Sequence, residues 1–181
     1  LQSLIVSHEK PTTQRIFQYM KETWEQLPDE IRPARDTSNR NELWLRNKDE
    51  AARRDGDPGL DSKGIVDTAG KDFAGSGDAI QVVLADEVGK WDKVCDPETV
   101  YTSMVNAVQG EVGTAVFRAS TACGAGTFWH SEWKASMKIG KEGWNGHTPC
   151  FFPWYFDERN AKKAPPDMEL GDQEDSEFGN E

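Results

Sequence analysis

Two adjacent carboxylates close an apolar run in Val82-Val-Leu-Ala-Asp86-Glu87. A near-continuous apolar run is the mark of a strand covered on both faces, and open α/β sheets collect their ligands at the carboxyl ends of such strands. Neighbouring strand residues point to opposite pleats, so the two acids can divide a labour. One anchors the hydration shell of a Mg²⁺ ion while the other polarises an attacking water, as nucleotide hydrolysis requires. Taken alone, the same pattern equally describes a strand that ends in an exposed Asp-Glu turn. A second strand-like run, Thr114-Ala-Val-Phe117, leads into Ser120-Thr121-Ala-Cys-Gly124. Hydroxyls at a strand tip can register a terminal phosphate and shift the helix that follows, or act as an ST-turn capping that helix.

Other chemistries find less support. A phosphate cradle of the form G-x-x-x-x-G-K-[ST] is missing, because Gly70-Lys71, Gly89-Lys90 and Gly140-Lys141 are followed by Asp, Trp and Glu. His147 and Cys150 stand at a plausible metal-ligand spacing, but His8, His130, Cys95 and Cys123 offer no matching pair for structural zinc. Cys123 lies in a glycine turn without the flanking signature of a nucleophile. The three cysteines form no closed disulfide framework, which makes a reducing, cytoplasmic setting the expectation.

The elements that must position these groups follow from periodicity and punctuation. Leu1 to His8 reads as a buried strand, and Pro11 opens a helix with Ile16, Phe17, Met20, Trp24 and Leu27 at three- and four-residue steps until Pro28. Glu42 to Arg46 and Gly64 to Ala69 read as short strands, paired and joined by an exposed loop that contains Arg53 and Arg54. Ala79 to Ala85 is the most apolar strand and the expected centre of the sheet. A helix over Pro97 to Gln109, a strand over Thr114 to Phe117, a helix over Thr127 to Ile139 and a last strand over Thr148 to Trp154 complete the order. The alternation predicts an α/β fold, a mostly parallel sheet with flanking helices. Core packing is the expected role of Trp24, Trp133 and Trp154.

The chain has 181 residues and a net charge of −11, opposite to the footprint of a stand-alone duplex binder. Seven carboxylates and no Lys or Arg fall within residues 165–181; with few apolar residues and a Pro-Pro start, residues 159–181 read as an acidic disordered tail or linker. No apolar run approaches the roughly 20 residues that span a bilayer, so no membrane partner is expected.

In their order, these features resemble the large terminase subunit of tailed bacteriophages, over roughly residues 1–158. The resemblance rests on Ser7-His8 before a helix, Leu27-Pro28 with Arg32-Pro33, Thr68-Ala-Gly70 leading to Gly75-Ser-Gly77, Asp86-Glu87 with Trp91 beyond, Ser120-Thr-Ala-Cys-Gly124, and Phe151-Phe-Pro-Trp-Tyr155. It implies a partial ATPase domain of P-loop NTPase (ASCE/RecA-like) type, incomplete at its N-terminus, with ATP and Mg²⁺ as cofactors. Asp86 would be the Mg²⁺-binding Walker B aspartate, Glu87 the catalytic glutamate, and Ser120-Thr121 the motif that couples hydrolysis to movement. Ser76 and Cys123 depart from the Arg and Asn common at those places. Double-stranded DNA, a portal protein, a small terminase subunit and further copies of the chain would be the partners, in the host cell cytoplasm. The Walker A loop and the nuclease of that family are missing here, so the chain alone is expected not to hydrolyse ATP. Two alternatives stand beside this reading: the first motor domain of a superfamily 2 helicase, and a non-catalytic interaction module derived from such a domain.

Overall fold

The computed structural model describes residues 1–70, 79–108, 110, 112–157 and 159. Chain contacts divide it into two units, residues 1–147 and residues 148–181. In the first unit, β1 (Gln2–Ser7) leads into α1 (Lys10–Gln26), followed by β2 (Thr37–Ser38), β3 (Glu42–Leu45), α2 (Glu50–Arg54) and β4 (Ser62–Thr68). Then come β5 (Val82–Ala85), a 3₁₀ helix over Val88–Lys93, α3 (Pro97–Asn106), β6 (Ala115–Arg118) and α4 (Phe128–Ser136).

The six strands form one mixed sheet in the order β2-β3-β4-β1-β5-β6. Four of them, β4, β1, β5 and β6, run parallel. The β2 and β3 strands add an antiparallel margin, with Leu43 opposite Gly64 and Ser38 opposite Leu43. The expected pairing of the two short strands is therefore present, and the loop between them contains the helical turn α2. Asp49 caps that turn by accepting the amide N–H groups of Ala51 and Ala52 at 2.9 and 3.4 Å.

Alternate residues of β1 feed two cores. Leu4 and Val6 pack with Val83, Ala85, Val88, Trp91, Val100 and Met104 on the α3 side. Ile5 joins Phe17, Leu43 and Val66 on the α1 side, with Met20 and Trp24. Helices thus flank both faces of an α/β sheet. Antiparallel return of α1 along its face is fixed at two points. The Thr13 hydroxyl lies 2.9 Å from that of Thr68 at the carboxyl end of β4. Met20 covers Gly64 so closely that a Cβ there would sit 2.4 Å from the methionine methyl.

Two expectations are corrected. The β5 strand is interior but stands next to last; β1, paired on both sides, is central with β4. Its fully buried Val83 and Ala85 are covered by helices and not by central position. No strand forms over Thr148–Trp154: the second unit's described residues form only a 3₁₀ turn, Trp154–Phe156. Pro149 and Pro153 remove two ladder donors within six residues, which disfavours strand pairing there. The glycine-bearing segment 71–77 and most of residues 159–181 lie outside the described residues. Among the described residues, no helix is long and apolar enough to cross a membrane.

Candidate active site

The parallel strands β1, β5 and β6 all present their carboxyl ends at one edge of the sheet, and Asp86, Glu87, Ser120 and Thr121 gather there. Asp86 follows β5 directly. Its amide donates to the Val6 carbonyl at 2.8 Å, and its carboxylate Oδ2 accepts from the Ser7 hydroxyl at 3.0 Å. Ser7 has no exposed surface, so this hydroxyl is committed to the carboxylate. The Asp86 carbonyl accepts the indole N–H of Trp91 at 3.0 Å, and Trp91 is itself fully buried. The acid is held from three directions, which limits the positions its carboxylate can sample.

Glu87 does not continue the strand. Its φ of 51° and ψ of 42° put it in the left-handed region, which is strained for a residue with a Cβ. Strain of this kind persists where surrounding contacts fix it, and it clusters at functional positions. The turn replaces the simple alternation of pleats expected from sequence as the device that separates the two acids. The Glu87 carboxylate Oε2 lies 3.2 Å from the Lys90 ammonium and accepts from the Thr121 hydroxyl at 3.4 Å.

Ser120 and Thr121 reach the same edge from β6. Ala119 donates to the Ala85 carbonyl at 2.9 Å, and Val88 donates to the Ala119 carbonyl at 3.2 Å. The Ser120 hydroxyl accepts the Gly89 amide at 2.9 Å. A side chain on Gly89 would meet Ser120 Oγ at 2.8 Å and Cys123 Sγ at 2.9 Å, so close approach requires glycine there. Thr127 caps α4 by accepting the His130 amide at 3.2 Å. The capping role belongs to Thr127, whereas Ser120 and Thr121 bond to the turn that carries the two acids.

Sequence reasoning named Asp86, Glu87, Ser120 and Thr121, and the fold brings all four together. The contacts of Ser7 and Trp91 with Asp86 were not foreseen; their signal was a hydroxyl at the tip of one strand and an indole five residues past another. His8, beside Ser7, has a buried Nδ1 without a hydrogen-bond partner among the described residues, and its Nε2 lies 3.6 Å from Glu9 Oε1. No protein-family model and no curated protein matches the chain. The geometry of this edge therefore carries the functional argument.

Among the described residues there is no cluster of three or more His, Cys, Asp or Glu suited to a metal ion. Mg²⁺ takes one or two carboxylates, keeps several waters and completes its shell with phosphate oxygens; Asp86, oriented by Ser7, is the carboxylate that would meet that demand at this edge. His147, one half of the weak zinc pattern, instead pairs its Nε2 with the Tyr101 hydroxyl at 2.8 Å.

Proposed function

We propose that residues 1–158 belong to an ATP-hydrolysing motor domain of P-loop NTPase type. The motor is of the kind found in the large terminase subunit of tailed bacteriophages, which drives double-stranded DNA into a prohead. The observation that carries the reading is the contact of Glu87 with Thr121 beside the Ser7–Asp86 hydrogen bond, at the carboxyl edge of parallel strands. It links a water-polarising group, a metal-anchoring group and a hydroxyl-bearing strand tip within one layer. Adjacency of β6 to β5 supports the same reading, because it places the hydroxyls one strand from the acids.

In this reading Asp86, oriented by Ser7 and by the Trp91 indole on its carbonyl, holds the water shell of Mg²⁺. Bound Mg·ATP supplies the electrophilic phosphorus and its leaving group. Glu87 orients and polarises the attacking water, and its left-handed turn directs it away from Asp86. Lys90 and Thr121 both contact Oε2 of the Glu87 carboxylate, so a shift of Glu87 toward water would change those contacts. Any such exchange reaches β6 through Thr121, which gives the hydroxyl pair its coupling role. The portal, the small terminase subunit and further copies of the chain are the partners consistent with this function.

The test is a titration of the chain with ATP at millimolar concentration, with and without Mg²⁺. Binding that requires Mg²⁺ and weakens about tenfold or more in Asp86→Asn supports the motor. Saturating concentrations without any binding favour the interaction module. Turnover by the chain alone, abolished by Glu87→Gln, would support the catalytic assignment and overturn the expectation that the chain is inactive alone.

A further inference from the structure

A second site lies at the opposite end of the sheet. The α1 helix starts beside the carboxyl edge, where Thr13 meets Thr68, and passes Gly64 at Met20. Trp24, one turn further on, therefore stands level with the amino edge. There it lines a pocket of about 310 Å³ with Asp29, Arg32, Pro33, Ala34, Arg35 and Lys48. The whole chain is acidic, yet the pocket's lining carries Arg32, Arg35 and Lys48 against the single carboxylate of Asp29.

The two arginines are fixed before any ligand arrives. The Arg35 guanidinium lies over the Trp24 ring at 4.1 Å and Arg32 at 5.7 Å. Arg32 donates from Nε and Nη2 to the Leu27 carbonyl at 3.0 and 2.5 Å, and pairs with Asp29 at 2.8 Å. The Trp24 indole N–H donates to the Pro33 carbonyl at 2.9 Å, locking the floor of the pocket. Arg35's ion-pair partner, Glu25, is 3.7 Å away, outside hydrogen-bonding range. Lys48 forms no ion pair among the described residues. Beside the pocket, the hydrogen bond from Arg46 holds Asp36 below the usual carboxylate range against its desolvation, with smaller contributions from the charges of Arg46, Arg53 and Lys48.

We propose that this pocket binds a backbone phosphate of a nucleic acid, with Arg35 and Lys48 as the contacting cations and Arg32 and Trp24 as the support. Planar guanidinium donors match phosphate oxygens, and an aromatic backing keeps them extended without entropic cost at binding. Placement decides between phosphate sources. A nucleotide held for hydrolysis belongs at the carboxyl edge with Asp86, a full sheet height away, whereas a strand of nucleic acid can lie across the amino end. The proposal goes beyond the hydrolytic reading and is tested without any nucleoside triphosphate, so its failure leaves the Mg·ATP titration untouched.

The experiment measures binding of fluorescent duplex and single-stranded oligonucleotides of about 20 nucleotides to the full chain, from about 50 to 200 mM salt. Arg35→Gln combined with Lys48→Gln is expected to weaken binding of at least one of them about tenfold. The slope of log affinity against log salt should fall by about 0.7–0.9, the loss of one phosphate contact. Lys134→Gln with Lys141→Gln, exposed cations on and after α4, is the control and should change neither. Arg35→Lys with Lys48→Arg keeps the charges and should retain most of the affinity, separating lost contact from lost folding. No binding by the wild type at low salt, an unchanged slope in the double variant, or an equal loss in the control overturns the proposal. So does displacement of the oligonucleotide by about 1 mM inorganic phosphate, which would assign the pocket to a free anion.

Discussion

Glu87 sits in a backbone conformation that costs an L-residue about 1–2 kcal/mol, and the site retains it. Glycine at this position removes the steric cost but adds unfolded-state entropy of about 0.5–1 kcal/mol. Glu87→Gly is therefore expected to match or exceed the wild type's stability by up to about 1 kcal/mol. Glu87→Val, branched at Cβ, should lose more than 1 kcal/mol, and thermal unfolding of the pair measures both. A clear loss in the glycine variant would mean that the Lys90 and Thr121 contacts outweigh the strain. Gly89→Ala presses on Ser120 and Cys123 and should cost about 1–3 kcal/mol by overpacking, read as a lower denaturant midpoint. At this scale the sequence was informative about residue type and position, since an acid pair after an apolar run and a hydroxyl pair after another are local patterns. It was silent on Glu87's turn, because the left-handed region carries no signal when the residue is not glycine or asparagine.

Beyond its ladder with β5, β6 is tied to α4 by one largely buried ion pair. Arg118, 5% exposed, pairs with Glu132 of α4, and its guanidinium stands 5.2 Å over the Tyr101 ring of α3. Asn145 donates to the same Glu132 carboxylate at 3.0 Å, and Tyr101 closes the group against His147. Removing one charge of such a pair leaves the other without compensation, so Glu132→Gln should cost about 3 kcal/mol. Arg118→Met with Glu132→Leu should be less harmful than either change alone, a non-additivity that a double-mutant cycle on unfolding free energy reveals. Burial and then the Arg118 charge press His147 below the ordinary histidine value of 6.5, against an opposing pull from Glu132. The unfolded chain thus takes up a proton at a pH where the folded chain does not. Stability from neutral His147 is complete above about 6.5 and drains away as pH falls toward the folded value. Melting temperature should drop more steeply for the wild type than for His147→Asn between about pH 7.5 and 5.5. None of this network was legible in the sequence: its members come from four segments, and only their meeting explains why an arginine occupies a strand. Most helices and strands were legible, with α1 clearest because Pro11, Pro28 and the apolar spacing agree.

Across the molecule, sheet order was the part that periodicity could not supply. A strand's apolarity reports how well its faces are covered, and β5 is covered by α3 and the 3₁₀ helix even though it stands next to last. The antiparallel β2–β3 margin likewise depends on which edge was free once β1 and β4 had paired. The order makes a prediction about local opening. Amides of Leu4, Val6 and Val83 should exchange slowest with solvent, and those of β2 and the outer side of β6 fastest, when hydrogen exchange is followed in the chain alone. Slow exchange along all of β6 would show that its outer edge is covered by a partner molecule. One feature of the site also equips the molecule for observation. The Trp91 indole is fully enclosed and bonded to the carbonyl of Asp86, so the ring is a spectroscopic gauge built into the hinge between strand and turn. With fluorine placed on the indoles, Trp91→Phe would assign its ¹⁹F resonance by subtraction. The shift of that line would then report a change in the Trp91–Asp86 hydrogen bond, without altering the acid itself.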